Sequence, residues 1–291
     1  MPEELTFDDQ VAVVTGAGRG LGRAHALLLA ERGAAVVVND VQDPEPVVRE
    51  IIRAGGRAAA STHDIADEGQ AHRLIDHAVD TFGRLDALVN NAGVIHIAPF
   101  EQQTRAHLDR MMGVHVLGTW ALTQAAWRVF REQRYGRIVV TTSAAGLFGM
   151  KHPPQAAYSA AKSALVGLTL SLAAEAEAHD VKVNALAPRA FTPLQAQHMT
   201  DAGQAERLAV AQPADAVSPV VAALAHRSCP VNGQVLFACG GQVQRAFTGL
   251  TAGITTGSVL TPEEVVDRIG EIVDTSEFTV PEPYVAPRGM Q

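Results

Sequence analysis

Cysteine is scarce: Cys229 and Cys239 are the only two in 291 residues. That excludes a disulfide-framed domain and fits a reducing compartment. The pair resembles no metal knuckle, and His96 and His152 stand outside any ligand spacing such as His-Glu-x-x-His, so no metal is expected. Basic residues are also short, 23 Lys and Arg against 31 Asp and Glu, for a net charge of −8. Such a balance, without a block of like charge, argues against a nucleic-acid backbone or an anionic membrane as partner. No apolar run approaches the roughly 18 residues of a membrane span. The start, Met1-Pro2-Glu3-Glu4, lacks the basic-then-apolar order of a signal peptide, and Arg288-Gly289-Met290-Gln291 forms no targeting signal, so a cytoplasmic location is expected. The chain carries no internal repeat and no low-complexity segment.

What is present is 47% hydrophobic residues, ample for a sizeable core. Val11 to Thr15 is a short apolar run that ends in glycines and reads as a buried strand. The turn Gly16-Ala17-Gly18-Arg19-Gly20-Leu21-Gly22 follows, then an apolar-periodic helix to Gly33, then a second buried strand, Ala35 to Val38, closing on Asn39-Asp40. In this order glycines let a pyrophosphate approach the backbone and the helix N-terminus supplies free N–H groups and a positive dipole end. Asp40 stands where a carboxylate accepts from both ribose hydroxyls and repels a 2′-phosphate, which favours NAD over NADP; Arg19 and Arg23 are the counter-argument.

Alternation continues. Strands are expected at Arg57–Ser61, Ala87–Val89, Ile138–Thr142, Val181–Leu186 and Val235–Ala238. Helices are expected at Asp67–Phe82, from Thr104 to about Gln133, at Ala156–His179 and at Asp215–Leu224. Helices between strands imply parallel pairing with helices on both faces: an α/β, doubly wound parallel sheet of seven strands. Residues 1–241 form the dinucleotide-binding and catalytic domain. Residues 242–291 form an extension: a Gly- and Thr-rich stretch over 242–260, a helix opened by Thr261-Pro262-Glu263-Glu264 and running to about Val273, then a tail marked by Pro281, Pro283 and Pro287. The 242–260 stretch either shapes a substrate site or is a surface tail.

Tyr158-Ser159-Ala160-Ala161-Lys162 puts a phenol and an ammonium one turn apart on a helix face. At about 4 Å and an effective dielectric near 20, the attraction is on the order of 4 kcal/mol, roughly 3 pKa units before desolvation. That would bring the phenol toward a useful acid/base range.

Four stretches in order, Thr15-Gly16-x-x-x-Gly20-x-Gly22, Asn90-Asn91-Ala92-Gly93, Ser143 and Tyr158-x-x-x-Lys162, resemble the short-chain dehydrogenase/reductase family over roughly residues 8–241. The resemblance implies a Rossmann-type sheet, a nicotinamide cofactor and hydride transfer at a carbonyl or secondary alcohol. Gly113-Val114-His115-Val116-Leu117-Gly118, Tyr135-Gly136-Arg137-Ile138 and Thr261-Pro262-Glu263-x-Val265 look like the dehydrogenase part of type 2 peroxisomal multifunctional enzymes. That narrower likeness implies (3R)-hydroxyacyl-CoA dehydrogenation with NAD.

By this resemblance Tyr158 is the acid/base, Lys162 lowers its pKa and bonds the nicotinamide ribose, and Ser143 steadies the substrate oxygen. Asp64 and Ile65 meet adenine, with a loop acid or helix cap as the plainer reading of Asp64. Asn91, Ala92 and Gly93 approach the cofactor through backbone or simply form a turn. Pro188 and Thr192 lie at the nicotinamide, although Arg189 replaces the usual glycine after Pro188 and Thr192 matches only approximately. His115 stands where most of the family has Asn; it either joins the proton relay or fills the helix interior. Trp120 and Trp127 share a helix face and read as core or subunit interface rather than a substrate box. A homodimer or homotetramer acting on a small-molecule substrate is expected. The rival readings are a dehydrogenase of another ketone or alcohol (steroid, terpene or polyketide) and a dinucleotide sensor without turnover; residues 189–212 carry no readable substrate code.

Overall fold

The computed structural model describes residues 4–199, 201–257 and 259–282. Eight strands form one sheet: β1 (Val11–Thr15), β2 (Ala35–Asn39), β3 (Arg57–Ser61), β4 (Ala87–Asn90), β5 (Gly136–Thr141), β6 (Val181–Arg189), β7 (Val235–Cys239) and β8 (Gln242–Ala246). Their order is β3-β2-β1-β4-β5-β6-β7-β8, and every pairing from β3 to β7 is parallel. The order reverses between β1 and β4, which opens a crevice beyond their carboxyl ends. β1 (VAVVT), β2 (AVVVN) and β5 (GRIVVT) are buried along their whole length, as β-branched runs covered on both faces must be.

The covering helices are α1 (Gly20–Glu31), α2 (Glu45–Arg53), α3 (Glu68–Phe82), α4 (Arg105–Met111), α5 (Gly118–Gln133), α6 (Ala144–Phe148), α7 (Ala156–Ala176), α8 (Pro193–Ala196), α9 (Ala202–Ala211) and α10 (Ser218–Ala225). Asp67 caps α3 by accepting from Gln70 N at 2.8 Å, as its place in the sequence suggests.

The sheet departs from the expected seven strands. β8 adds an eighth from the stretch read as aperiodic; its residues are mostly exposed, so no buried face betrays it. α2 was not among the expected elements. It buries Val47, Val48 and Ile51 on one side, behind a start that Pro44 and Pro46 make look like a loop. The single helix expected from Thr104 is α4, capped by Thr104, then a π-helical turn at Met112–Leu117, then α5. The helix on Ala156 becomes 3-10 over Glu177–His179.

One helical stretch, Gly203–Ala225, does reach the length and mean hydropathy (1.4) of a membrane span, contrary to expectation. It breaks at Gln212-Pro213, and in its second half Val217, Val221, Ala222, Leu224 and Ala225 are core residues. Core burial accounts for the apolar residues of that second half.

The chain divides into two compact units, Met1–Arg245 and Ala246–Gln291. In the second, β9 (Leu250–Thr251) pairs antiparallel with β10 (Phe278–Thr279). Thr261 and Glu264 form a capping box on α11 (Pro262–Asp267), and a break at Arg268 separates it from α12 (Ile269–Ile272). Thr251 Oγ1 donates to Ile272 O at 2.7 Å, tying the hairpin to α12. Pro283, Pro287 and the terminal residues read for targeting lie outside the described residues.

Candidate active site

Thr15 ends β1, and Gly16 turns the chain at φ +62°, a conformation costly for any side chain. The turn is tightly packed: a Cβ on Gly16 would lie 2.8 Å from Ala92 Cα, and one on Gly22 only 2.2 Å from Gly16 O. Asn91 fastens the end of β4 to this turn. Its Nδ2 donates to Thr15 O at 2.9 Å, and Thr15 Oγ1 accepts from the amides of Asn91 and Ala92 at 3.1 and 3.0 Å. Arg19 precedes α1 and gives it no side-chain cap, so the first amides of α1 keep their hydrogen-bonding capacity. Gly20 has φ +56°, and a Cβ there would meet Pro193 Cδ at 3.3 Å, which places the start of α8 over the turn. Leu21 packs on the core.

Asp40 lies at the edge of the same turn. Its Oδ2 accepts from Gly18 N at 3.0 Å and its Oδ1 from Gln42 N at 3.0 Å. Arg23 makes a forked pair with Glu50 of α2, at 2.8 and 2.7 Å, and Arg19 is exposed. Glycine cradle, uncapped helix start and flanking carboxylate together fit a dinucleotide: amides for the pyrophosphate, Asp40 for the ribose.

Beyond the end of β5 the reactive groups converge. Ser143 caps α6, accepting from Ala145 N at 3.2 Å, and its hydroxyl is near enough to Tyr158 of α7 to act on the phenol's pKa. Lys162, one turn on, is buried and donates from Nζ to Thr141 O at 2.5 Å. Thr142 Oγ1 donates to Lys162 O at 2.7 Å, so strand end and helix are stitched on both sides. The ammonium stands 5.8 Å from the Tyr158 ring centroid. Burial lowers the Lys162 pKa to about 7. Burial raises that of Tyr158, and the nearby Ser143 hydroxyl opposes it. The large downward shift expected from Lys162 is therefore absent: desolvation outweighs a cation that is bonded elsewhere and itself half neutral near pH 7.

His115 sits on the π-helical turn, buried, with Nε2 donating to Val94 O at 2.7 Å. Its ring meets Tyr158 edge-on, centroids 5.4 Å apart at 81°. A Cβ on Gly93 would lie 2.6 Å from His115 Cε1, so this neighbour must be glycine. Burial first, then the charge of Lys162, pushes the imidazole pKa well below its ordinary value, against the Val94 bond. With Nε2–H donating, Nδ1 is left as a buried acceptor that has no partner among the described residues.

The model of the short chain dehydrogenase family matches residues 10–203. The chain belongs to the short-chain dehydrogenases. It is 38% identical to the peroxisomal multifunctional enzyme type 2 of Mus musculus over 97% of its own length, and spans 39% of that protein's length. A 3-oxoacyl-[acyl-carrier-protein] reductase of Synechocystis is 40% identical over 62% of this chain and 73% of its own. The crystal structure of a short chain dehydrogenase from Mycobacterium avium superposes with a TM-score of 0.81, at 36% identity, covering 92% of this chain and 95% of that one. This short-chain dehydrogenase is thus an oxidoreductase of CH–OH groups, with a nicotinamide dinucleotide as its class of cofactor.

The other residues singled out in the sequence fall as follows. Asp64 is exposed, and its Oδ1 accepts from Ala66 N at 2.9 Å, a turn contact, while Ile65 is buried against Gly118. Asn91 spends its side chain on the glycine turn, the Ala92 amide is taken by Thr15 Oγ1, and Gly93 packs against the His115 ring. Pro188 lies in the last turn of pairing of β6, opposite Ala238, and Thr192 caps α8. Trp120 is 55% exposed and Trp127 half-buried, so the pair does not sit in the core. Three contributors escaped the sequence: the carbonyls of Thr141 and Val94, which no side-chain motif reports, and Glu50. Glu50 was hidden with α2; a helix there would have put it within reach of Arg23.

Proposed function

We propose that this chain oxidises the secondary alcohol of a 3-hydroxyacyl thioester, a 3-hydroxyacyl-CoA, with NAD, and reduces the matching ketone in reverse. The observation that carries the reading is the meeting of Ser143, Tyr158 and Lys162 at the end of β5, beside the glycine turn. The likeness to the mouse multifunctional enzyme and to the 3-oxoacyl reductase supports an acyl thioester as substrate. Asp40 at the turn, with Arg23 already engaged by Glu50, supports NAD over its 2′-phosphate.

The bound nicotinamide would supply the hydride acceptor, or the donor in reverse. Tyr158 exchanges the hydroxyl proton of the substrate. Ser143 donates a hydrogen bond to the same oxygen and steadies the charge that develops there. Lys162, fixed by Thr141 O, bonds the nicotinamide ribose and lends positive charge when protonated. Because burial keeps Tyr158 protonated near neutrality, the site stands ready as an acid for reduction, and oxidation gains as pH rises. The exposed Leu117 at the end of the π-helical turn and Trp120 on α5 support a homodimer or homotetramer built across that helical stretch.

NAD reduction measured against 3-hydroxyacyl-CoAs, steroids and simple alcohols tests the reading. Turnover confined to the acyl thioesters is expected. Turnover of a steroid or simple alcohol in their place would move the chain to another substrate class, and NAD binding without turnover of anything would make it a sensor.

A further inference from the structure

Away from the reacting groups, a stacked pair of histidines has two further basic side chains within electrostatic reach, the four coming from three segments. His96 follows β4; its ring stacks on that of His107 of α4, centroids 3.6 Å apart at 28°. Arg110, one turn further along α4, and His198, just past α8, are near enough to act on the charge of His96, and no carboxylate is among the groups that do. The acid nearest in sequence, Asp109, is taken by Arg105 at 2.6 Å. Arg110 is exposed and forms no ion pair among the described residues.

The group is anchored to the reaction centre. Val94, two residues before His96, holds His115. Gln103 donates to Ala98 O at 2.8 Å and accepts from Ala157 N at 2.9 Å, which fixes the His96 segment to the start of the Tyr158 helix. His198 follows α8, whose first residue lies over Gly20.

The donors are also set. His107 Nδ1 accepts from Thr104 N at 3.1 Å, so Nε2 carries its proton and is free to donate. His96 Nε2 is buried and has no partner among the described residues. Nothing in this group is arranged for a cation: among the described residues no three His, Cys, Asp or Glu side chains are placed to hold a metal. Burial first, then these basic neighbours, lowers the His96 pKa, so the exposed guanidinium of Arg110 supplies the fixed positive charge, and on a chain of net charge −8 it attracts anions locally.

We infer that His96, His107, Arg110 and His198 form a phosphate-binding subsite for the carrier end of the substrate, the nucleotide phosphates of coenzyme A, with the acyl chain running inward to Tyr158. This rests on the proposed thioester substrate and adds how its carrier is recognised. Phosphate accepts from Arg and His in charge-assisted bonds, and such contacts at a site rim act on binding rather than on the chemical step.

The test compares kcat/KM for a 3-hydroxyacyl-CoA with that for the same acyl group on N-acetylcysteamine, a neutral carrier without phosphate. The wild type is expected to prefer the CoA ester by about tenfold or more, through KM. Arg110→Ala combined with His198→Ala should cut that preference about fivefold to tenfold, and 0.5 M added salt, as a rough screening level, should cut it similarly. Arg53→Ala, an exposed arginine at the end of α2, should leave the preference in place. Equal kcat/KM for the two carriers, a preference that survives the double variant, or an equal loss in Arg53→Ala would each overturn the subsite while leaving the thioester reading standing. A preference for the acyl-carrier-protein thioester over CoA that depends on the same residues would show the phosphopantetheine of a protein as the occupant, and overturn coenzyme A. Turnover of no thioester would overturn both readings.

Discussion

The imidazole of His115 stands edge-on to the ring of Tyr158, with 5.4 Å between centroids, while its Nε2 is tied to Val94 O. The tie fixes the tautomer, and the burial that depresses its pKa keeps the ring neutral. His115 therefore offers one acceptor, Nδ1, and no charge of its own. If the proton of Tyr158 passes through Lys162 toward solvent, that acceptor is where the next donor binds. His115→Leu should lower kcat about 10- to 100-fold and leave the Kd for NAD within about twofold. His115→Asn, the residue usual in the family, should recover most of the loss. Equal activity in all three proteins would make the histidine a filler of the π-helical turn.

Lys162 carries opposing demands. Its folded-state pKa of about 7 lies below the ordinary lysine value, so the unfolded chain binds more protons between those pH values. Stability attributable to this group therefore rises with pH from about 7 toward the ordinary lysine pKa near 10.4, and its ionised form is a burden below 7. Lys162→Met should abolish turnover yet raise Tm, by roughly 2–4 °C for each kcal/mol recovered. Thermal melts and assays on the same preparation check both halves; a Tm lowered at neutral pH would contradict the desolvation account.

The proposed preference for NAD assigns cofactor choice to Asp40. Asp40→Ala removes the carboxylate from beside Gly18 and should relax the preference for NAD over NADP about tenfold or more, read as the ratio of kcat/KM values. Glu50→Gln, which weakens the pairing of Arg23, should shift the same ratio in the same direction by a smaller amount. An unchanged ratio in Asp40→Ala would show that this carboxylate does not read the ribose.

His25 supplies a stability test far from the chemistry. It is fully buried between α1 and α10, with Nδ1 2.8 Å from Ser218 Oγ, and burial lowers its pKa from 6.5 to about 3. The unfolded chain thus takes up a proton that the folded one refuses. Stability should fall as pH drops from about 6.5 toward 3, by on the order of a few kcal/mol. His25→Gln should flatten that slope in urea titrations; an unchanged slope would place the acid sensitivity elsewhere.

What the sequence discloses follows physical lines. β1, β2 and β5 were legible because full burial on both faces leaves uninterrupted runs such as VAVVT. The glycine turn was legible because Gly16 and Gly20 need positive φ and Gly22 tolerates no Cβ. β8 was not, because an exposed edge strand has no buried face to pattern. The π-helical turn was not, because one wider turn leaves the surrounding periodicity intact, although it decides where His115 points. Charge at the site was misread for a similar reason. Spacing puts Lys162 beside Tyr158, but only the fold shows the ammonium bonded to Thr141 O and both groups desolvated.

The central claim is that Tyr158 exchanges the substrate proton. It is tested most directly by the rate of 3-hydroxyacyl-CoA oxidation in Tyr158→Phe, with NAD affinity measured by titration on the same protein and the wild-type pH profile taken alongside. The account predicts a kcat lowered by about 100-fold or more with the Kd for NAD nearly unchanged, and a wild-type oxidation rate that climbs above neutral pH while reduction declines. Full activity in Tyr158→Phe, or a wild-type oxidation rate that falls as pH rises, would contradict it.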